Sequence, residues 1–139
     1  MLVRRPPEDV FAFVADFENE PRWKPGLVHE VERVSPSGQA IGTRYREVLS
    51  AGGERVEQIF EVTEYEPNRR VGFVAESSGT RGVYELEPVA DGTMLTFTVR
   101  PRRSGLAKVL EPLRARQARE RVQRELERLR DLLEQPSSA

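Results

Sequence analysis

The connections between the apolar runs of residues 28–101 are too short to hold a helix, and this limits the fold more than any other feature of the sequence. Apolar and polar residues alternate here, and β-branched and aromatic side chains fall in short runs between glycine and proline turns. Strands are predicted near residues 28–34, 42–50, 54–65, 70–77, 81–88 and 93–100. Because turns this short join antiparallel neighbours, the six strands should form a meander.

One face of such a sheet must be covered, and the rest of the chain supplies helices. Residues 104–134 carry an apolar stripe at helical spacing, made of Leu106, Leu110, Leu113, Val122, Leu126, Leu129 and Leu133. Near the other end, Pro6 and Pro7 followed by acidic residues favour a short helix that ends near Phe17. The 139 residues match the length of one domain. The predicted fold class is therefore α+β.

Short motifs in a fixed order run along the whole chain. They are Pro7-Glu8-Asp9-Val10-Phe11, Asp16, Trp23-Lys24-Pro25-Gly26, Gly42-Thr43-Arg44-Tyr45, Glu61-Val62-Thr63-Glu64-Tyr65-Glu66-Pro67, Asp91-Gly92-Thr93 and Leu129-Arg130-Asp131-Leu132-Leu133-Glu134. With these motifs the chain resembles the START-like (SRPBCC) superfamily, in its bacterial polyketide cyclase/dehydrase branch. The resemblance implies a single helix-grip domain over residues 1–139. In that fold a curved antiparallel sheet wraps around a long C-terminal helix, with two short helices near the N-terminus and a ligand cavity between sheet and helix.

The first strand is expected to be truncated. Members of the superfamily normally begin with a full edge strand, whereas only Leu2, Val3 and Arg4 remain of it here. A short first strand would leave one edge of the sheet partly unpaired, and an unpaired edge can accept a strand from another chain. A homodimer or another protein partner is therefore one expectation for this edge.

Alternation along the strands predicts which side chains face the helix. Tyr45, Glu47 and Leu49 should face the concave side of the sheet, while Arg44 and Arg46 face solvent. The inward set on the other strands is Val56, Gln58, Phe60, Val62, Val71, Phe73, Tyr84, Leu86, Leu95, Phe97 and Val99. Most of these residues are expected to be core.

The polar members of this inward set are the candidate catalytic residues, namely Tyr45, Glu47, Gln58 and Tyr84. In a low-dielectric cavity a carboxylate has a raised pKa and a phenol can orient a carbonyl, which suits acid–base cyclisation or dehydration. Alternatively, Glu47 lies at a strand end with its carboxylate in water, and the tyrosines bond to backbone groups. The sequence leaves both interpretations open.

The candidate ligand-binding residues are the side chains expected around the cavity: Trp23, Leu27, Tyr45, Glu47, Phe60, Phe73, Tyr84, Phe97, Leu110 and Leu113. Trp23 is either a ligand contact or an apolar plug at the narrow end of the cavity. The three phenylalanines could instead fill the cavity completely, which would exclude a ligand.

Composition excludes or disfavours several other kinds of site. The chain has no cysteine and a single histidine, His29, so thiol chemistry and a histidine pair or triad are excluded. Neither a metal nor a cofactor is expected, because a calcium loop, a glycine-rich phosphate loop and a dinucleotide fingerprint are all missing. The N-terminus has no apolar run behind its arginines, and a cytoplasmic location is expected.

Basic residues are concentrated in the C-terminal helix. Residues 1–101 hold 12 basic and 17 acidic residues, whereas residues 102–139 hold 10 basic and 6 acidic residues. Nucleic acid is not an expected partner, because acidic residues are interleaved with the arginines and the helix has no aromatic residue to stack on bases. The remaining interpretations are a solvated helix face or peripheral contact with an anionic membrane.

Three functions are therefore compatible with the sequence. The first is binding of a small hydrophobic or amphipathic ligand, such as a polyketide, lipid or quinone-like compound. The second is a cyclase/dehydrase-type enzyme that uses Tyr45, Glu47, Gln58 and Tyr84. The third is an interaction protein with a filled core, which acts through its basic helix or open sheet edge.

Overall fold

The computed structural model describes residues 1–35, 41–100 and 107–135, and the side chains of residues 107–115 lie outside the description. The strands are β1 (Leu2–Val3), β2 (Val28–Arg33), β3 (Arg44–Ala51), β4 (Glu54–Glu66), β5 (Arg70–Ala75), β6 (Arg81–Val89) and β7 (Gly92–Arg100). The α-helices are α1 (Pro7–Val14), α2 (Glu20–Trp23) and α3 (Ala107–Glu134), and a 3-10 helix spans Phe17–Asn19. No helix in these described ranges is long and apolar enough to cross a membrane.

The strands form one antiparallel sheet in the order β1-β7-β6-β5-β4-β3-β2. The predicted six-strand meander is confirmed as β2 to β7, with strand ends that differ from the prediction by no more than a few residues. The short first strand pairs with β7, where Leu2 lies opposite Met94 and Val3 opposite Thr93. The structure thus has the predicted α+β helix-grip class, with seven strands.

The first helix ends earlier than the sequence pattern suggested. The pattern predicted an end near Phe17, but α1 stops at Val14 and Ala15 is its C-cap. The Asp16 side chain accepts a hydrogen bond from the backbone N–H of Glu18 and so caps the 3-10 helix that follows. The cap at Asp16 begins a new helical element, and Pro21 lies in the first turn of α2. The chain from Pro7 to Trp23 is therefore divided into three short helices.

The core lies between the concave face of the sheet and the apolar face of α3. On α3, Leu126 and Leu129 are buried, and Val122 and Leu133 pack partly buried against them. On the sheet, the predicted inward phase is confirmed by burial of Tyr45, Phe60, Val62, Val71, Tyr84, Leu86 and Leu95. Val56 and Val99 share that phase but are 39% and 42% exposed near the ends of their strands. The predicted stripe residue Leu106 and the side chains of Leu110 and Leu113 lie outside the described part of the chain.

Backbone hydrogen bonds and one close approach at Gly92 join β1 to β7 at the sheet edge. The Met1 amino group donates to the Leu95 carbonyl, and the Leu95 N–H donates back to the Met1 carbonyl, both at 2.8 Å. Gly92 has φ 146°, and a Cβ added there would collide with the Val3 carbonyl oxygen. Only glycine therefore allows β1 to approach β7 at this point.

Candidate functional site

A buried lysine lies at the end of α2. Lys24 directly follows this one-turn helix, and its Nζ is 3.7 Å from Oε2 of Glu20, one helical turn earlier. The exposed fractions of the two side chains are only 12% and 4%. The Lys24 ammonium also lies 4.5 Å from the ring centroid of Trp23 and 5.8 Å from that of Phe97. It is therefore held between a carboxyl group and two aromatic rings.

Two neighbouring strands add a carboxyl group and an amide to this site. Glu47 on β3 and Gln58 on β4 are opposite one another in the ladder, and Gln58 Nε2 donates to Glu47 Oε1 at 2.6 Å. Glu47 is buried, and its carboxyl group acts on that of Glu20, whose pKa it helps to raise. The predicted inward orientation of Glu47 and Gln58 is thus confirmed.

Tyr84 and Glu125 complete the site from β6 and α3. Tyr84 is fully buried, and its ring stacks on Phe97 with centroids 4.2 Å apart. Glu125 is half-buried and interacts electrostatically with Lys24. We refer to Glu20, Lys24, Glu47, Gln58, Tyr84 and Glu125 together as the Lys24 cluster.

Burial sets the protonation states within the Lys24 cluster. Burial raises the pKa of Glu20 to about 8, with Lys24 opposing the shift and Glu47 adding to it. Burial would lower the pKa of Lys24, but the negative charge of Glu20 and its other neighbours outweighs this and raises the pKa. Burial also raises the pKa of Tyr84. Near neutral pH the cluster therefore presents a carboxylic acid, an ammonium and a phenol.

Two buried polar atoms of the cluster have no hydrogen-bond partner within the described residues. They are Oε2 of Glu20, whose distance to Lys24 is too long for a hydrogen bond, and Oη of Tyr84. Buried polar atoms in proteins nearly always have a partner. Glu20 Oε2 and Tyr84 Oη are therefore candidates to bond a polar atom of a bound molecule.

Aromatic rings cover the concave face beside the cluster. The rings of Phe17, Tyr45, Phe60, Phe73, Phe97, Tyr84 and Trp23 form a continuous series of contacts, with centroids 4.2 to 6.5 Å apart. Phe60 and Trp23 are buried core residues, whereas Phe73 and Phe97 keep part of their surface accessible. The Phe73 ring lies over Gly82, where an added Cβ would be 2.5 Å from ring carbon Cζ.

Tyr45 is separated from the other predicted catalytic candidates. Its ring stacks on Phe60 and meets Phe17 edge-on. Burial, with help from Asp16 and Glu18, raises its pKa to about 12. Glu47, Gln58 and Tyr84 all have neighbours in the Lys24 cluster, so the structure brings together three of the four candidates.

The sequence analysis did not single out Glu20, Lys24 or Glu125 as site residues. The spacing of Glu20 and Lys24 beside Trp23 was the available signal, since residues four apart share a helix face. Four residues are too few to reveal a helical period, and Pro21 and Pro25 interrupt the apolar pattern here. Glu125 was counted only among the acidic residues interleaved with the arginines of the C-terminal helix.

An open surface depression of about 370 Å³ adjoins the Lys24 cluster. One wall is the loop of Pro25, Gly26 and Leu27, which contains a predicted ligand contact. The other wall is a face of α3 that carries Arg121, Arg124, Glu125 and Arg128. Glu125 is shared by the depression and the cluster.

Two further expectations concern metal ions and the single histidine, His29. Among the described side chains, no group of three or more His, Asp or Glu residues is arranged to hold a metal ion. His29 Nε2 and Ser50 Oγ share a hydrogen bond of 2.6 Å between β2 and β3. This bond gives the histidine a structural partner.

Comparison of the sequence with protein families gives one match over nearly the whole chain. The family model described as "polyketide cyclase / dehydrase and lipid transport" matches residues 1–134. No curated protein matches the sequence at a significant level.

Solved structures share the fold over most of this chain. Protein TTHA0849 from Thermus thermophilus is 25% identical with a TM-score of 0.71, and the match covers 94% of this chain and 91% of that one. The ZhuI aromatase/cyclase from Streptomyces sp. R1128 is 15% identical with a TM-score of 0.71, covering 95% and 88%. The di-domain aromatase/cyclase StfQ of the steffimycin biosynthetic pathway is 11% identical with a TM-score of 0.76, covering 96% of this chain and 48% of that chain.

Proposed function

The chain belongs to the polyketide cyclase / dehydrase and lipid transport family, and on this premise we propose that it binds a small amphipathic molecule between sheet and helix. The apolar part of the ligand lies against Phe73 and Phe97, and a polar atom meets the Lys24 cluster. The observation that carries this proposal is the pair of buried, unpartnered atoms, Glu20 Oε2 and Tyr84 Oη, beside a buried ammonium. Ligand sites typically combine an apolar lining with a few convergent polar groups of this kind.

The protonation states in the cluster favour one class of ligand. Protonated Glu20, the Lys24 ammonium and the Tyr84 phenol can all donate hydrogen bonds near neutral pH. Their natural complement is an acceptor such as a carbonyl oxygen. A polyketide- or quinone-like compound therefore suits the site better than a plain hydrocarbon chain.

Native mass spectrometry of gently purified protein, followed by denaturing extraction, tests for a bound molecule directly. A defined probe pair then tests the carbonyl preference: 2-acetylnaphthalene and 2-ethylnaphthalene differ in one carbonyl group and little in shape. Binding is followed by fluorescence of Trp23, the single tryptophan, which lies next to Lys24. We expect tighter binding of the ketone.

Tyr84→Phe keeps the ring that stacks on Phe97 and removes only the hydroxyl. We expect this variant to lose about 5- to 20-fold in affinity for the ketone, and to bind the hydrocarbon unchanged. Tyr65→Phe is the matched control, because Tyr65 contacts Phe11 rather than the cluster. If neither probe binds and no molecule copurifies, the binding proposal is wrong and an interaction role gains support.

A cyclase/dehydrase-type activity is the second candidate, and the pKa of Glu20 favours it. A carboxyl group with a pKa of about 8 can act as a general acid near neutral pH. In a dehydration, Glu47 would accept the proton from the carbon next to the carbonyl, and Lys24 would stabilise the negative charge that develops on the carbonyl oxygen. Glu20 would then protonate the departing hydroxyl, which leaves as water as the carbon–carbon double bond forms. Because its pKa is raised, Lys24 stays a charged ammonium near neutral pH. It can stabilise negative charge but cannot act as an amine nucleophile.

The enzyme hypothesis is tested with a β-hydroxyketone probe by following formation of the conjugated enone. Turnover should depend on a group that titrates near pH 8 and should be lost in Glu20→Gln, while Tyr65→Phe keeps activity. Turnover that survives both Glu20→Gln and Lys24→Met would exclude this assignment.

A further inference from the structure

Three arginines on one face of α3 have no ion-pair partner in the described part of the chain. Arg121, Arg124 and Arg128 follow a spacing of three and then four residues, so they share a helix face, and all three are exposed. Elsewhere on α3, Arg116 pairs with Glu120 at 3.4 Å and Arg130 with Asp131 at 3.2 Å. Arg121, Arg124 and Arg128 all line the same surface depression.

The composition of this depression favours an anion. Its lining holds three arginines against one carboxyl group, Glu125, and the opposite wall of Pro25, Gly26 and Leu27 carries no charge. Glu125 lies among cations, since Lys24, Arg121 and Arg124 all act on it electrostatically. The depression therefore has an excess of positive charge.

The chemistry of the lining suits a carboxylate or phosphate group. Arginine presents a planar fork of donors that matches two oxygens of such a group, and all three cations here are arginine. Gly26 has φ 84°, and a Cβ added there would meet no atom within 4 Å, so the loop wall leaves room above it. With about 370 Å³, the depression can hold an anionic group and part of the skeleton that carries it.

The depression and the Lys24 cluster share one residue, Glu125. Glu125 lines the depression and acts electrostatically on Glu20, Lys24 and Tyr84. Leu27, on the opposite wall, is three residues beyond Lys24. A molecule whose carbonyl group meets Glu20 Oε2 and Tyr84 Oη could therefore extend its other end toward the arginines.

We propose that Arg121, Arg124 and Arg128 bind the anionic end of the ligand, a carboxylate or a phosphate, while its carbonyl group meets the Lys24 cluster and its apolar part lies against Phe73 and Phe97. The inference rests on the proposed binding function and narrows its ligand class to amphipathic acids or phosphate esters. Under this inference the three arginines of α3 bind part of the ligand and do more than keep the helix face hydrated.

The experiment uses probes that share an acetylnaphthalene skeleton and differ in the group at its far end. The anionic probes are 6-acetyl-2-naphthoate and 6-acetyl-2-naphthyl phosphate, and the neutral one is 6-acetyl-2-naphthamide, each titrated against Trp23 fluorescence. We expect at least one anion to bind about 10-fold or more tightly than the amide, because hydrogen bonds to charged groups are the stronger ones. The two anionic probes distinguish a carboxylate from a phosphate as the preferred group.

The decisive variant is Arg121→Gln/Arg124→Gln/Arg128→Gln, with Arg119→Gln as the matched control. Arg119 is an exposed arginine of the same helix and does not line the depression. The triple variant should lose the preference for the anion and bind the amide as before, whereas the control should keep the preference. Thermal melts of both variants establish that they remain folded.

The outcomes separate this inference from the proposed function. If the amide and both anions bind equally, or if the preference survives in the triple variant, the arginine site is wrong and the binding function stands. If no probe binds and no molecule copurifies, the binding function fails and the arginine site fails with it. Sedimentation with phosphatidylglycerol vesicles that needs the arginines, without any preference among the small probes, would overturn the inference in favour of a membrane surface.

Discussion

The molecule contains two clusters in which one cation faces three carboxyl groups, and they lie on opposite faces of the sheet. On the convex face, Arg46 on β3 forms ion pairs with Glu30 and Glu32 of β2 and Glu57 of β4, at distances of 3.0, 2.9 and 2.9 Å. On the concave face, Lys24 faces Glu20, Glu47 and Glu125. The residue types and formal charges are alike, but the surroundings differ.

The difference between the two clusters follows from access to water. The carboxylates around Arg46 are 56% to 62% exposed, so solvent screens their mutual repulsion and each forms its ion pair. In the Lys24 cluster burial leaves one carboxyl group protonated and two polar atoms without partners among the described residues. A charge cluster on the surface fastens neighbouring strands, whereas a buried one holds groups with altered chemistry.

Removal of the cation should distinguish the clusters most strongly. Lys24→Met leaves Glu20 and Glu47 together without a buried positive charge, and we expect it to lower the free energy of unfolding by about 3 kcal/mol or more. Arg46→Met, its matched counterpart on the surface, should have a far smaller effect because water replaces the lost partner. Urea denaturation measures both, and equal losses would contradict the contrast drawn here.

The second prediction concerns how the free energy of unfolding depends on pH in the two clusters. The pKa of Glu20 is raised to about 8 in the folded protein, from an ordinary value of 4.5, so the unfolded chain ionises first as pH increases. The stabilisation that Glu20 gives as an acid is complete below about pH 4.5 and is lost as pH rises through about 8, by up to about 1.4 kcal/mol per pH unit.

This pH dependence should disappear in Glu20→Gln, measured by urea denaturation between about pH 5 and pH 9. Glu32→Gln in the Arg46 cluster is the control and should keep the wild-type slope. An unchanged slope in Glu20→Gln would place the titrating group elsewhere.

The third prediction concerns a single hydrogen bond in each environment. Gln58→Leu removes the donor to Glu47 Oε1 and should lower the free energy of unfolding by about 1 to 2 kcal/mol, because a buried acceptor is left unpaired. Gln123→Leu is the matched control, since Gln123 donates to Glu127 at 3.2 Å on the exposed side of α3. We expect a clearly smaller change there, also in urea denaturation.

The smallest effect should be the salt dependence of the surface cluster. Arg46→Gln should change the thermal midpoint slightly at low ionic strength and not at all at about 1 M salt, where charges are screened within about 3 Å. The effect of Lys24→Met should be nearly the same in both conditions, because its surroundings exclude the salt. A strong salt dependence of Lys24→Met would mean that the cluster is open to solvent.

The sequence predicted those features that repeat over many residues. Alternation along β3 and β4 placed Glu47 and Gln58 on the concave face, and the structure confirms both. Glu20 and Lys24 escaped prediction because a single helical turn has no measurable period. The separation of Tyr45 from Tyr84 also could not be predicted, because alternation gives the face of a strand but not which side chains meet across a curved sheet.

The Phe73 ring lies over Gly82, so the residue at position 82 controls the shape of the apolar surface beside the Lys24 cluster. Any side chain at Gly82 would displace the ring from the floor of the concave face, since even a Cβ would lie 2.5 Å from it. Such a change alters the shape offered to the apolar part of a ligand without substituting Lys24, Glu20 or Tyr84. Ligand preference could therefore diverge between homologues, or be redesigned, by exchanging one small residue while the polar chemistry of the site is inherited unchanged.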